Sequence, residues 1–186
     1  MRAAWLDDDR MGLILTAMMP DNRLAMMVSI ATGLRISDVL HMRPADLRTQ
    51  RPTITERKTG KRRRVYLPNR IYELLQEHCG RYYVFPGRLR PDKPRTRQAV
   101  YKDLRRVAQL YRINGAPIRE HISPHTGRKM YAVHDYHDHG DDLRRVQHDM
   151  LHTDPAVTAL YALSDRLPVH STCSLTRKYK RRSHNA

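Results

Sequence analysis

PHTGRKMYAVHDYHDHGDDLRRVQHDMLHTDPAVTALY, residues 124–161, is the stretch on which the reading of the chain turns. Ser123 followed by Pro124 marks a helix start, because a serine hydroxyl caps free backbone N–H groups and proline fits the first turn. Gly140 suits the end of that helix, Asp141 caps DDLRRVQHDML, and Asp154-Pro155 opens a last helix through PAVTALYAL. Within the first helix His125 and Arg128 stand three positions apart and share a face. A guanidinium grips phosphate oxygens through two parallel bonds and an imidazole moves protons near neutral pH, so the pair suits a phosphate. His152 and, nine positions on, Tyr161 add a second imidazole and a phenol. His134, His137 and His139 crowd together with Asp135 and Asp138. Helical metal ligands prefer i, i+4 spacing, which this set offers only through pairs such as Asp135 with His139, so it reads as a solvated helix end and no metal is expected.

Working outward, TRQAVYKDLRRVAQLYRI (96–113) places Ala99, Val100, Leu104, Val107, Ala108 and Tyr111 on one stripe with a basic face opposite, the pattern of an amphipathic helix. A turn, NGAPIREHISP, joins it to the deciding stretch. Ahead of it YYVFPGRLRPDKPRTR (82–97) reads as a loop crossing a phosphate backbone, with Arg88, Arg90, Arg95 and Arg97 available to it. NRIYELLQEHCG (69–80) is another helix. PTITE and RRVYLP change the period to two and form strands joined by the turn RKTGK, a hairpin whose tip holds Lys58, Lys61, Arg62 and Arg63. Two apolar helices, MGLILTAMM and RLAMMVSIATG, come first, separated by the turn Pro20-Asp21-Asn22, with the second ending at Gly33. Arg35 then opens ISDVLHM. An arginine at such a junction can pair with Asp38, cap the preceding helix or reach for an anion. The fold expected is mainly α with one small antiparallel hairpin.

Composition narrows the function. A chain of 186 residues builds one domain, and 35 lysines and arginines against 19 acids give a formal charge of +16, which calls for a polyanion. No long apolar run exists and the basic residues are spread through helices and turns, so nucleic acid is favoured over a membrane surface. Two distant cysteines, Cys79 and Cys173, and an acidic N-terminus suggest a reducing, cytoplasmic setting close to the nucleoid.

The order Arg35, Lys58, His125-x-x-Arg128, His152, Tyr161, with ATGLRISDVL and GDDLRRVQ as flanking text, resembles the catalytic domain of the tyrosine recombinases, the phage integrase family. The resemblance runs from about Asp7 to Asp165. It implies that domain's fold over 1–165; most family members carry a separate N-terminal DNA-clamping domain, for which this chain has no room, as expected of a short member like the fimbrial phase-switch recombinases or of a protein that depends on a partner for clamping. It implies double-stranded DNA as partner, a tetramer on the DNA, an accessory bending or clamping protein, and no cofactor. The basic tail 166–186 would exchange between protomers through Leu163, Leu167 and Val169.

The resemblance also assigns roles. Arg35 and Arg128 neutralise the phosphate, Tyr161 attacks it, His125 takes the phenol proton, Lys58 (or Lys61) protonates the leaving oxygen and His152 bonds a phosphate oxygen, with Asp38 orienting Arg35 or a histidine. Lys61, Arg62, Arg63, Arg88, Arg90, Arg95 and Arg97 would contact DNA. Two positions depart from the family text: Gly127 stands where leucine is usual, and Leu151 where glycine is usual. Tyr131 and Tyr136 lie nearer the motif histidine, but only Tyr161 has the expected spacing from His152. Type IB topoisomerase chemistry and a catalytically silent DNA-binding regulator use the same framework and are the alternatives.

Overall fold

The computed structural model describes residues 3–113, 116–117 and 121–166. Helix α1 (Asp8–Ala17) begins where the Asp7 carboxylate accepts the Arg10 N–H at 2.8 Å. Pro20-Asp21-Asn22, expected as a turn, is instead the first turn of α2 (Pro20–Thr32), since proline at the first position loses no helical bond. Gly33, at φ 66°, closes α2, and α3 (Ile36–Leu40) follows directly. A short 3-10 turn (Pro44–Arg48) leads into the hairpin of β1 (Thr53–Thr55) and β2 (Arg62–Arg64), antiparallel with Ile54 opposite Arg63. Then come α4 (Asn69–His78) and α5 (Arg97–Leu110). The helix expected to reach Ile113 stops at Leu110, because Arg112–Ile113 (β3) pairs antiparallel with Ala116–Pro117 (β4). The last three helices are α6 (His125–Asp138), α7 (Leu143–Asp149) and α8 (Pro155–Ala162). Asp142, not Asp141, caps α7, accepting the N–H groups of Arg144 and Arg145. The expected exchange through Leu167 and Val169 lies outside the described residues.

Helix α2 is the centre of the main core, with Ala25, Met26 and Val28 wholly buried, and α6 lies across it. The crossing is close because Gly127 has no side chain: a Cβ there would stand 3.2 Å from both Met26 Cε and Ile30 Cγ1. The glycine costs the helix up to about 1 kcal/mol against alanine, and the close contact with α2 is what that cost obtains. A smaller cluster of Ala132, Tyr136, Val146, Met150 and Ala162 joins α6, α7 and α8.

The segment 82–97, expected to run over a phosphate backbone, is anchored at its base. Val84 and Phe85 are fully buried, the Val84 N–H donates to the Met42 carbonyl, and the Arg95 N–H donates to the Phe85 carbonyl. Arg95 is thereby turned inward: its guanidinium donates to Asn22 Oδ1 and pairs with Asp21, stapling the segment to the first turn of α2. The tip from Arg88 to Lys93 projects, and Arg90 is ion-paired with Asp92. The histidine cluster also separates, since His134 turns to Asp8, His137 to Asp141 and Asp165, and His139 to Asp135. Among the described residues no helix is long and apolar enough to cross a membrane.

Gly127→Leu should lower stability by roughly 1–3 kcal/mol, because the added side chain has to push α6 off α2. Chemical denaturation of the variant and the parent chain measures this directly.

Candidate active site

Arg128, one turn into α6, points into the core and is 2 % exposed. Its Nη1 donates to the Gly33 carbonyl at the end of α2, and its Nη2 donates to the Met150 carbonyl, 2.7 Å away, beyond α7. The hairpin brings up a third partner: Glu56, fully buried just past β1, has Oε1 3.6 Å from Arg128 Nη1 and Oε2 2.5 Å from Arg35 Nη1. Burial alone would raise the Glu56 pKa, but its bonds from Arg35 and Thr59 and the charges of Arg35 and Arg128 hold it below the ordinary carboxylate value. Burial and the neighbouring Arg35 charge draw the Arg128 pKa down to about 10, so the guanidinium remains cationic at neutral pH. Arg35, at the N-cap of α3, keeps 18 % of its side chain in solvent and is the more accessible of the two cations.

Asp38 was expected to orient Arg35 or a histidine. Its Oδ1 instead accepts the Arg57 backbone N–H at 3.1 Å, pinning the start of the hairpin turn, and Glu56 takes the Arg35 pairing. Burial, and then repulsion from Glu56, raise the Asp38 pKa. Glu56 is the residue missed by sequence reading. The signal was the period of two: Pro52, Ile54 and Glu56 face inward while Thr53 and Thr55 face out, and an acid on the buried face of a strand demands a cationic partner.

Tyr161 sits in the last turn of α8 and lines an open concavity with His125, Arg97, Tyr101, Lys129 and Leu160. The His152 ring meets the Tyr161 ring edge-on at 5.3 Å between centroids. His152 follows Leu151, which adopts φ 52°, the left-handed region that favours glycine, at a cost of roughly 1 kcal/mol. Its ring is nonetheless held, with Nδ1 3.2 Å from the Thr158 hydroxyl. Burial and the charges of Arg128 and Arg35 depress the His152 pKa to about 4. His125 is exposed at the surface, yet partial burial of its ring, followed by the charges of Arg97, Arg128, Arg35 and Lys58, lowers its pKa as well.

Lys58 lies exposed on the hairpin turn, near enough for its charge to act on His125. Lys61, Arg62, Arg88 and Arg97 are exposed cations. Arg63 is not: only 8 % exposed, it donates to the Thr32 carbonyl at 2.6 Å and stacks over Tyr131, so the DNA contact expected of it gives way to a structural role, as for Arg95. The fold thus brings the Tyr161 phenol and the His125 imidazole to one concavity, sets the His152 ring against Tyr161, and places the charges of Arg35 and Arg128 where they act on both imidazoles, a set suited to drawing in an anionic ester and moving protons beside it.

Residues 4–166 match the Phage integrase family. Two relatives from Sinorhizobium fredii, the putative integrases/recombinases y4qK and y4eF, are each 29 % identical, over 81 % and 77 % of this chain and 47 % and 56 % of their own lengths. The chain therefore spans about half the length of the curated relatives it matches. The fold is that of a lambda integrase dimer bound to a COC' core site (TM-score 0.68, 20 % identity, 87 % of this chain, 48 % of that one). It is also that of the Tn1549 transposon integrase in complex with a circular intermediate DNA (0.69, 16 %, 98 % and 66 %) and of XerH recombinase bound to difH substrate (0.64, 22 %, 85 % and 50 %). With the match spanning nearly all the described residues and the mainly helical fold with its small antiparallel strand pairs in agreement, this chain belongs to the phage integrase family of tyrosine recombinases.

Proposed function

We propose that this chain cleaves and rejoins DNA strands at specific sites, with Tyr161 as the nucleophile. The observation that carries the reading is the meeting of Tyr161 and His125 at one concavity, with the His152 ring against Tyr161 and the Arg35 and Arg128 charges acting on both histidines. The Tyr161 oxygen attacks the phosphorus of a phosphodiester and its proton passes to His125, whose pKa, lowered by burial and then by the neighbouring cations, favours the neutral imidazole that can accept it. Negative charge accumulating on the non-bridging oxygens is offset by Arg35 at the surface and by the field of Arg128 beneath it. The P–O bond to the 5′ oxygen breaks as Lys58 supplies the proton that oxygen needs, leaving a 3′-phosphotyrosyl ester and a 5′ hydroxyl. Attack by another strand's 5′ hydroxyl reverses each transfer and restores Tyr161.

Neutral His152 fits the remaining task. Its ring is oriented by the 3.2 Å contact between Nδ1 and the Thr158 hydroxyl, and in the tautomer that carries its proton on Nε2 the imidazole donates to a phosphate oxygen. Lys61, Arg62, Arg88 and Arg97 supply backbone contacts, and several copies, up to a tetramer, assemble on the duplex. One observation favours a silent DNA-binding regulator as second reading: both terminal nitrogens of Arg128 are already committed to backbone carbonyls.

Two outcomes are expected. Incubated in EDTA with nicked duplexes carrying a site that it binds, the chain forms a covalent adduct that survives denaturing gels and is absent with Tyr161→Phe. Binding without an adduct leaves the regulator instead. The second concerns pH. The His152 pKa is about 4 in the folded chain against an ordinary 6.5, so unfolding takes up a proton between these values and the stability this residue contributes, complete above pH 6.5, is lost as pH falls toward 4. Melting midpoints measured across that window should fall more steeply for the parent chain than for His152→Gln.

A further inference from the structure

Glu56 is tied in two directions. Its carboxylate faces Arg35 and Arg128, and the same carboxylate accepts the Thr59 hydroxyl at 2.9 Å from within the turn that carries Lys58. Its backbone closes that turn as well, with the Glu56 carbonyl accepting the Gly60 N–H at 2.8 Å and the Glu56 N–H donating to the Lys61 carbonyl at 2.9 Å. Asp38 adds a further tie through the Arg57 N–H. Lys58 thus stands between two anchored residues, Arg57 and Thr59, whose anchors are the two buried acids under the arginine pair. Because Glu56 has no exposed surface, it is not in the place of an incoming phosphate; it acts on both guanidiniums from the protein side.

We propose that Glu56 is a positioning residue that couples the two halves of the site: it sets the arginine pair for the phosphate and, through Thr59, sets the turn that presents Lys58 to the leaving oxygen. The inference rests on the strand-cleavage reading and adds to it a residue that touches neither DNA nor the reacting atoms. Its consequence is that proton delivery and charge neutralisation share one support. A carboxylate that loses its charge releases both, whereas one that loses only the Thr59 hydroxyl releases the turn alone.

Two variants separate these effects. Glu56→Gln keeps the shape and removes the charge, and Thr59→Val removes the hydroxyl from an exposed residue of the turn without touching the arginines. Single-turnover adduct formation is measured on a nicked duplex with the ordinary 5′ oxygen at the cleavage point and on one with sulfur there. A thiolate leaves without being protonated, so sulfur removes the need for Lys58 as acid. DNA affinity and melting are followed in parallel. On the oxygen substrate Glu56→Gln is expected to be slower by about 10–100-fold, in the range typical of lost supporting partners, and Thr59→Val by a smaller factor. Affinity for DNA should be retained or increased. On the sulfur substrate Thr59→Val should return to the parent rate and Glu56→Gln should recover only in part. Parent rates for both variants on the oxygen substrate, or a Thr59→Val deficit that persists with sulfur, would overturn the coupling. If Glu56→Gln does not fold, Thr59→Val alone decides the matter by the same split between substrates. A parent chain that binds the duplex and gives no adduct on either substrate overturns strand cleavage itself, a result distinct from the others.

Discussion

Everything near the site hangs on one buried cation. The Arg128 guanidinium ends inside the protein, where an unpaired charge is prohibitively costly, so its surroundings must supply acceptors. They come from three separate places: the Gly33 carbonyl at the close of α2, the Met150 carbonyl past the end of α7, and the Glu56 carboxylate at the base of the hairpin turn. With α6 itself, four parts of the chain converge on a single side chain. The left-handed turn at Gly33 and the glycine at 127 belong to the same arrangement, because one frees a carbonyl to face Arg128 and the other lets α6 sit close enough to reach it.

The electrostatics follow from that convergence. Two arginines share one carboxylate, and their surplus positive charge adds to burial, the larger cause, in lowering the pKa of His152 and of His125 below that of a solvated imidazole. A neutral imidazole can accept a proton or donate one from a fixed nitrogen, which a charged one cannot do in the same way. The arginine pair therefore tunes its neighbours as well as attracting an anion.

Much of this was readable from the chain. Periodicity and caps located the helices, and the period change at 52–68 located the hairpin. The places where reading failed share a physical cause: they depend on which partner a long side chain finds, and partners are distant in sequence. Arg63 and Arg95 looked like surface cations because nothing local indicates that Thr32 and Asp21 await them. Asp38 was given Arg35 on grounds of proximity in sequence, yet the hairpin delivered Glu56 to that arginine and an Arg57 N–H to Asp38. Gly127 stood out only as a departure from the family text, because the close approach of Met26 and Ile30 that it permits is distant in sequence.

The saturation of Arg128 has an evolutionary corollary. A residue that holds three segments together is retained by selection for folding alone, whether or not the chain ever cuts a strand. A lineage that abandoned catalysis would shed the Tyr161 phenol long before it could dispense with Arg128. The presence of Arg128 thus testifies to the architecture, and loss of activity on replacing it speaks first to folding. The record of function is written in the residues the fold can spare.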